Sequence, residues 1–402
     1  MFRGELLSPA GDAECFDNAL NFGADAIYLA GKQFGMRSAP TNFDLDTLRA
    51  SVEKAHKKNV KVYVTCNTIP TNEEVRLLPH FLREIESAGA DAVIVADLGV
   101  MQLCKQFAPS LALHASTQVG VMNSATANAL YAYGVRRIVL AREVSLDEIR
   151  EIRKEVPEDL EIEVFCHGSM CVSFSGRCLL SSYLTGRDAN RGQCAQPCRW
   201  KYSLMEENRP GEFYDITEDK GGTYILNSKD LCTLPILEEL AATGINSIKI
   251  EGRTKSAYYV ASTTTAYRHA LDALAHDLTV PEVWMDEAEM VSHRPYSTGF
   301  YVSGAQQYTE SAAYLSRCDV VGVVLQCDND GNAVILQKNR FFVGDTINVL
   351  SPGKTPFTFQ VLEMADETGN PINVANHAEM IVKMKLPVPS EPGSFLRGMR
   401  KV

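Results

Sequence analysis

Four times in the first 255 residues an amphipathic stretch ends in glycine and passes directly into a short apolar segment: GADAIYL at 23–29, GADAVIV at 89–95, GVRRIVL at 134–140 and GINSIKI at 244–250. A glycine just past the last helical turn accepts the left-handed conformation that closes a helix. The uninterrupted apolar run behind it suits a strand covered on both faces, as in parallel sheets. Four further strands fit between these units, at Glu5–Leu7, Val60–Thr65, Leu111–Leu113 and Glu161–Phe165. Eight strands with helical connections predict an α/β fold, a (β/α)8 TIM-type barrel. The runner-up, a doubly wound open sheet, lacks a G-x-G-x-x-G turn after its first strand.

The seventh and eighth strands lie about eighty residues apart, far more than a connection through one helix requires. The excess marks an insertion at about 166–222. The barrel with its insertion is expected over 1–280, a connecting segment over 281–317 and a second module over 318–402. In that last module, short alternating runs (VVGVVLQ, AVILQ, DTINVLS, TFQVLEM) are punctuated by Asp-Gly, Gly-Asp and Pro-Gly turns. This pattern predicts a small all-β barrel or sandwich.

Five of the eleven cysteines fall at the start of the insertion or inside it. Cys171, Cys178, Cys194 and Cys198 read C-x6-C-x15-C-x3-C, interleaved with Gly176 and Gly192. Four thiolates on one glycine-bearing loop can capture an iron–sulfur cluster or a zinc ion. Structural zinc usually takes two tight C-x2-4-C knuckles, and only Cys194–Cys198 is one, which favours iron–sulfur. Cys232, in NSKDLCTL, competes for the fourth place. Cys15, Cys66, Cys104, Cys166, Cys318 and Cys327 read as buried packing groups.

A net charge of −11 argues against indiscriminate nucleic-acid binding, which needs a broad basic surface. Arg177, Arg187, Arg191, Arg199 and Lys201 nevertheless stand against one acid, Asp188, within the insertion. These side chains form either a solvated face or a local phosphate-binding surface. The N-terminal MFRGELLSPAG has no signal-peptide core, and no apolar run approaches the roughly 20 residues of a membrane span. A cytoplasmic protein without membrane association is expected.

Active sites of such barrels lie at the C-terminal ends of the strands. Ser8, Asn67, Asp97, His114, Glu143, His167, Glu251 and Arg253 are expected there. Any strand-to-loop transition turns polar, but a convergent set suggests one pocket. His114, Glu143, His167 and Glu251 are the candidates for proton transfer. Arg253 and Lys255 suit a carboxylate-bearing ligand; the plain alternative is a Glu251–Arg253 ion pair closing the barrel. Tyr183, Trp200 or Tyr202 could stack on an unpaired base or simply pack.

The stretch EVFCHGSMCVSFSGRCLLS resembles the signature of the U32 family, historically called collagenase-like peptidases. ELLSPAG, GADAIYL, HASTQ, RGQCAQPCRW, NSKDL and KIEGRTKS extend the resemblance over nearly the whole chain. Within the family it is similar to the members that convert the wobble uridine of tRNA to 5-hydroxyuridine without molecular oxygen. Relatives act on a ribosomal RNA cytidine or a quinone precursor. The resemblance implies a 4Fe–4S cluster on Cys171, Cys178, Cys194 and either Cys198 or Cys232, prephenate as co-substrate, the tRNA anticodon loop as partner, and a redox partner. Not all members carry a cysteine at the NSKDL position, which favours Cys198.

A metal-dependent peptidase is the alternative, with zinc in place of the cluster. A cysteine protease needs an activated thiolate beside an oriented base. Cys166 and His167 are neighbours in a strand, where adjacent side chains point to opposite faces. No H-E-x-x-H and no serine nucleophile elbow is present.

Overall fold

The computed structural model describes residues 4–35, 42–171, 178–189, 192–200, 204–205, 213–214, 228–302 and 314–400. Eight parallel strands close into a barrel: β1 (Glu5–Pro9), β2 (Ala26–Ala30), β3 (Lys61–Cys66), β4 (Ala92–Val95), β5 (Ala112–Ala115), β6 (Arg137–Val139), β7 (Glu161–Ser169) and β8 (Ser247–Ile250). β8 pairs with both β1 and β7, so the ring has no edge. The helices are α1 (Ala13–Asn21), α2 (Leu45–His56), α3 (Asn72–Ser87), α4 (Leu98–Phe107), α5 (Ser124–Ala132), α6 (Leu146–Glu155), α7 (Leu237–Ala241) and α8 (Ala257–Ala275).

Local chemistry explains the repeat. Gly23, Gly89, Gly134 and Gly244 all take positive φ, between 83° and 105°. At the first three, the following residue's N–H reaches back to a carbonyl five positions earlier, as in Ala24 to Ala19, Ala90 to Ile85 and Val135 to Leu130. That bond stops the helix and points the chain into the next strand. The starts are fixed as firmly. Asp12, Asp44, Asp97, Asn123 and Ser256 cap their helices, and Thr71–Glu74 and Ser145–Glu148 form reciprocal capping boxes.

Three strands run past their expected ends. β7 runs to Ser169, because the strand Asp230–Cys232 lies antiparallel to it and supplies partners for His167, Gly168 and Ser169. His167 is therefore inside a strand and does not follow one. His114 is likewise inside β5, in register with Ile94 of β4 and Arg137 of β6. Ser8 belongs to β1, where its hydroxyl is 2.9 Å from that of Thr264 on α8.

The end of the barrel where the strands begin is filled with charge. Arg137 contacts Glu5 at 2.5 Å, Glu161 at 2.7 Å and Glu163 at 3.1 Å, and Lys249 reaches Glu163 at 3.0 Å. Tyr63 donates to Glu5 at 2.6 Å. Burial alone would raise the Glu5 carboxyl, but Arg137 and Tyr63 hold it below the usual carboxylate range.

The segment between the barrel and the final module packs into the barrel body. Trp284 and Glu287 of the helix Glu282–Ala288 are buried, and Tyr296–Ser297 pairs with Asp230–Leu231 in the barrel's sheet. Residues 318–399 form an antiparallel eight-stranded half-barrel with its own apolar core around Val324, Ile335, Ile347, Val349 and Leu396. It is seated on the barrel by Arg397, which bonds Glu287 at 2.5 and 3.0 Å, and by Phe395 against Phe22 and Tyr258. Cys327 is half-exposed, at odds with the buried reading, because it ends a strand at a hairpin turn.

Candidate functional site

At the C-terminal ends of the strands, β6 and β8 meet through an ion pair. Arg142 lies 3.6 Å from Glu251, donates to the Ser169 carbonyl at 3.1 Å, and rests 3.9 Å above the Phe165 ring. Glu251 thus pairs with Arg142, from the neighbouring rim. Arg253 is buried, with its Nη1 close to Gly35. Lys255 has other neighbours: it sits over the rings of Tyr259 (5.2 Å) and Tyr314 (5.1 Å) and lines a cleft of about 520 Å³ with Asp319 and Arg400 of the β-module. Glu143 is half-buried on the same rim, and Asp97 caps α4.

His114 lies deeper. It is 4% exposed, its ring meets Tyr63 edge-on at 4.8 Å, and its Nδ1 makes no hydrogen bond among the described residues. Burial, reinforced by Arg137 and Lys249, depresses its basicity well below that of an ordinary histidine.

His167 lies at the foot of the cysteine insertion, enclosed by tyrosines. Nδ1 is 3.4 Å from the Tyr267 hydroxyl and Nε2 is 3.3 Å from that of Tyr296, while the Tyr259 ring packs at 6.0 Å. Tyr267 donates to the Cys166 carbonyl and Tyr296 to the Ala288 carbonyl. Burial lowers the His167 pKa to about 3, so the ring is neutral at physiological pH. Asp230, of the NSKDL motif, braces this shell. Its carboxylate takes three hydrogen bonds from Arg294, at 2.5 to 3.1 Å, which keep it ionised despite its burial. Sequence reasoning passed over Asp230, Arg294, Tyr267 and Tyr296. The available signals were the NSKDL and RPY motifs and the spacing of Tyr259 and Tyr267, two turns apart on one helix.

Near the end of β7, Gly168 takes φ 107°, and a side chain there would strike the Glu251 carbonyl. Cys171 and Cys194 are exposed, Cys178 and Cys198 half-exposed, and none of the eleven cysteines is in a disulfide. A short helix, Leu180–Thr185, carries the exposed Tyr183 and Leu184, and Trp200 is exposed after the turn Pro197–Arg199. The Ala195 N–H donates to Ser181 at 3.0 Å and ties the two limbs together. The Gln196 N–H donates to Cys194 Sγ at 3.3 Å, a contact that stabilises a thiolate ligand. The donor set is soft sulfur, as an iron–sulfur cluster requires. No three His, Cys, Asp or Glu side chains among the described residues are arranged to hold a metal ion. The thiols would therefore have to be drawn together on loading.

Cys232 has a different environment. It faces His167 across the antiparallel pair, is 7% exposed, and burial pushes its thiol up to about 11. Cys166 is fully buried and its thiol is held well above the ordinary range by that burial. Of the expected basic surface, Arg187 is exposed. Arg177, Arg191, Lys201 and Tyr202 lie outside the described residues, as does the Arg199 side chain. No helix among the described residues is long and apolar enough to cross a membrane.

Residues 11–311 match the model of peptidase family U32, and residues 316–397 match that of the peptidase family U32 C-terminal domain. Over 403 residues the chain is 36% identical to tRNA hydroxylation protein P1 of Bacillus subtilis, covering 98% of this chain and 94% of that one. It is 39% identical over 275 residues to the 23S rRNA 5-hydroxycytidine C2501 synthase of Escherichia coli, covering 68% of this chain and 40% of that protein. A protein named collagenase from Porphyromonas gingivalis is 30% identical over 311 residues, with 74% and 73% coverage. By both family matches and by these relatives, the chain belongs to the U32 peptidase family.

Proposed function

We propose that the chain is a hydroxylase of the tRNA wobble uridine. It would form 5-hydroxyuridine without molecular oxygen, with a 4Fe–4S cluster on Cys171, Cys178, Cys194 and Cys198 and prephenate as hydroxyl donor. The observation that carries the reading is the surface of the insertion at the barrel mouth. There, exposed thiols share a short segment with the exposed rings of Tyr183 and Trp200 and the exposed Arg187. A purely structural metal loop would bury its sulfurs, and a packing loop would bury its aromatics. The full-length relative named for tRNA hydroxylation supports the same substrate class.

When bound, the cluster would supply one-electron chemistry beside the mouth. Cys198 suits the fourth position better than Cys232, whose thiol is protonated and enclosed in the core. Tyr183 and Trp200 would stack on bases of the anticodon loop, the usual way of reading single-stranded RNA. Arg187, with Arg177, Arg191 and Arg199, would hold phosphates. Glu251, oriented by Arg142, is better placed to move a proton at the mouth than His114, which lies below it in the barrel. Glu143 is the second carboxylate on that rim. His167, neutral and fixed by Tyr267 and Tyr296, would anchor the base of the insertion.

A collagenase-like peptidase is the second reading, favoured by the name of one relative. Its thiol version would need an ionised cysteine beside a base, whereas Cys166 is buried with its thiol held protonated. Purification without air tests the first reading. A coloured protein carrying about four irons and four sulfides per chain is expected; a colourless, iron-free protein would refute the cluster.

A further inference from the structure

The short helix of the insertion is built inside out. Leu179, just before it, and Tyr183 and Leu184 within it are all at least half exposed, while Ser181 is fully buried. An amphipathic helix ordinarily turns its apolar side chains inward and its polar ones outward. Here the inward side chain is a hydroxyl, and it has a specific partner. Ser181 Oγ accepts the Ala195 N–H at 3.0 Å, and the Ser181 carbonyl accepts Thr185 Oγ1 at 2.7 Å.

That partner sits in the second cysteine-bearing limb. Ala195 directly follows Cys194, and Cys178 lies three residues before Ser181. Three residues reach no further than about 11 Å, so the bond limits how far these two thiols can part. Without it, fifteen residues separate them, and drawing the ends of that loop together costs entropy. Beyond Ala195 the limb is already shaped. Gln196 takes φ 57°, which non-glycine residues seldom adopt, and its N–H lies on Cys194 Sγ at 3.3 Å. The Trp200 N–H then closes the turn onto the Pro197 carbonyl at 3.0 Å. Backbone strain of this kind persists where the surrounding structure holds it. The Ser181–Ala195 bond stands directly before the strained residue.

We propose that Ser181 is a positioning residue of the cysteine site. Through the Ala195 N–H its Oγ keeps Cys194 close to Cys178 before any metal binds, so that the cluster assembles on two ligands already gathered. The role rests on the cluster put forward under the proposed function. Ser181 itself touches no metal and acts through Ala195.

The full chain is reconstituted with iron and sulfide without air, as wild type, Ser181→Ala and Thr185→Val. Iron per chain, the rate of iron release to a chelator, the EPR signal after dithionite reduction and the melting temperature of the iron-free protein are measured. Thr185→Val removes the hydroxyl that bonds the Ser181 carbonyl and leaves the Ala195 bond in place, so it reports what loosening the helix alone does.

The wild type is expected to hold about four irons. Ser181→Ala should release them about tenfold faster, or fail to retain them, and its EPR signal should be altered or absent. Thr185→Val should behave as the wild type, and the three iron-free proteins should melt together. Equally fast release in Ser181→Ala and Thr185→Val, a wild-type EPR signal in Ser181→Ala, or a fall in its iron-free melting temperature overturns the role. A wild type that binds iron and a Ser181→Ala protein that retains it as well remove the role and leave the cluster standing. A wild type that takes up no iron removes the cluster and the role with it.

Discussion

The two ends of the barrel are built on opposite principles. Where the strands begin, Arg137, Glu5, Glu161, Glu163 and Lys249 satisfy one another, and Tyr63 and Ser247 take up remaining oxygens. Where the strands end, Thr65 keeps a buried hydroxyl without a partner among the described residues, and a loop of exposed thiols hangs from β7. A closed, satisfied network is what stability selects; an open set of donors is what a ligand needs. In barrels of this kind the division runs along the axis, with stability at the N-terminal face and chemistry at the C-terminal face.

Breaking the open end should cost function and little stability. Cys171→Ala is expected to abolish bound iron and wobble hydroxylation while moving the melting temperature little, since Cys171 is exposed; iron assay, tRNA mass spectrometry and thermal melting check all three. Breaking the closed end should do the reverse. Arg137→Ala strands Glu5 and Glu163 as buried charges, a loss of about 3–5 kcal/mol, read from urea unfolding. Activity per folded molecule should be preserved.

The pH dependence of stability separates the two ends further. His167 is neutral in the fold down to about pH 3, whereas in the unfolded chain it takes a proton near pH 6.5. Stability from this group is therefore fully present above about pH 6.5 and declines as pH falls from there toward 3. His167→Gln should flatten that part of the curve. Glu5, whose carboxyl is lowered, contributes stability that is lost at more acid pH, as pH falls below the ordinary carboxylate value and through its folded value. Glu5→Gln should leave the His167 decline in place. The smallest effect is expected at the rim of the insertion: Tyr183→Ala should weaken tRNA binding by about 1–3 kcal/mol, measured by filter binding, with no change in melting temperature.

Much of the fold is written in local rules. The glycines at 23, 89, 134 and 244 close helices for a reason that needs no tertiary context, and the apolar runs behind them are the strands. What stayed hidden depends on distant pairing. β7 extends through His167 only because Asp230–Cys232, some sixty residues on, lies against it, so His167 read as a loop residue. His114 read as a rim residue because its depth follows from the register of β4, β5 and β6, which no short window contains. Arg137 and Glu163 gave no hint of their pairing, since charged residues near the start of a strand look like ordinary solvent-facing polarity. The candidate cysteines were legible from spacing alone, and their exposure sets them apart from the buried thiols of Cys66, Cys104, Cys166 and Cys232.

The central claim is that the open end of this barrel modifies tRNA. The direct measurement is mass spectrometry of the wobble uridine in tRNA from a deletion strain grown without oxygen and complemented with either the wild type or Cys171→Ala. The account predicts that 5-hydroxyuridine disappears on deletion, returns with the wild type and stays absent with Cys171→Ala. Unchanged 5-hydroxyuridine in the deletion strain would contradict it.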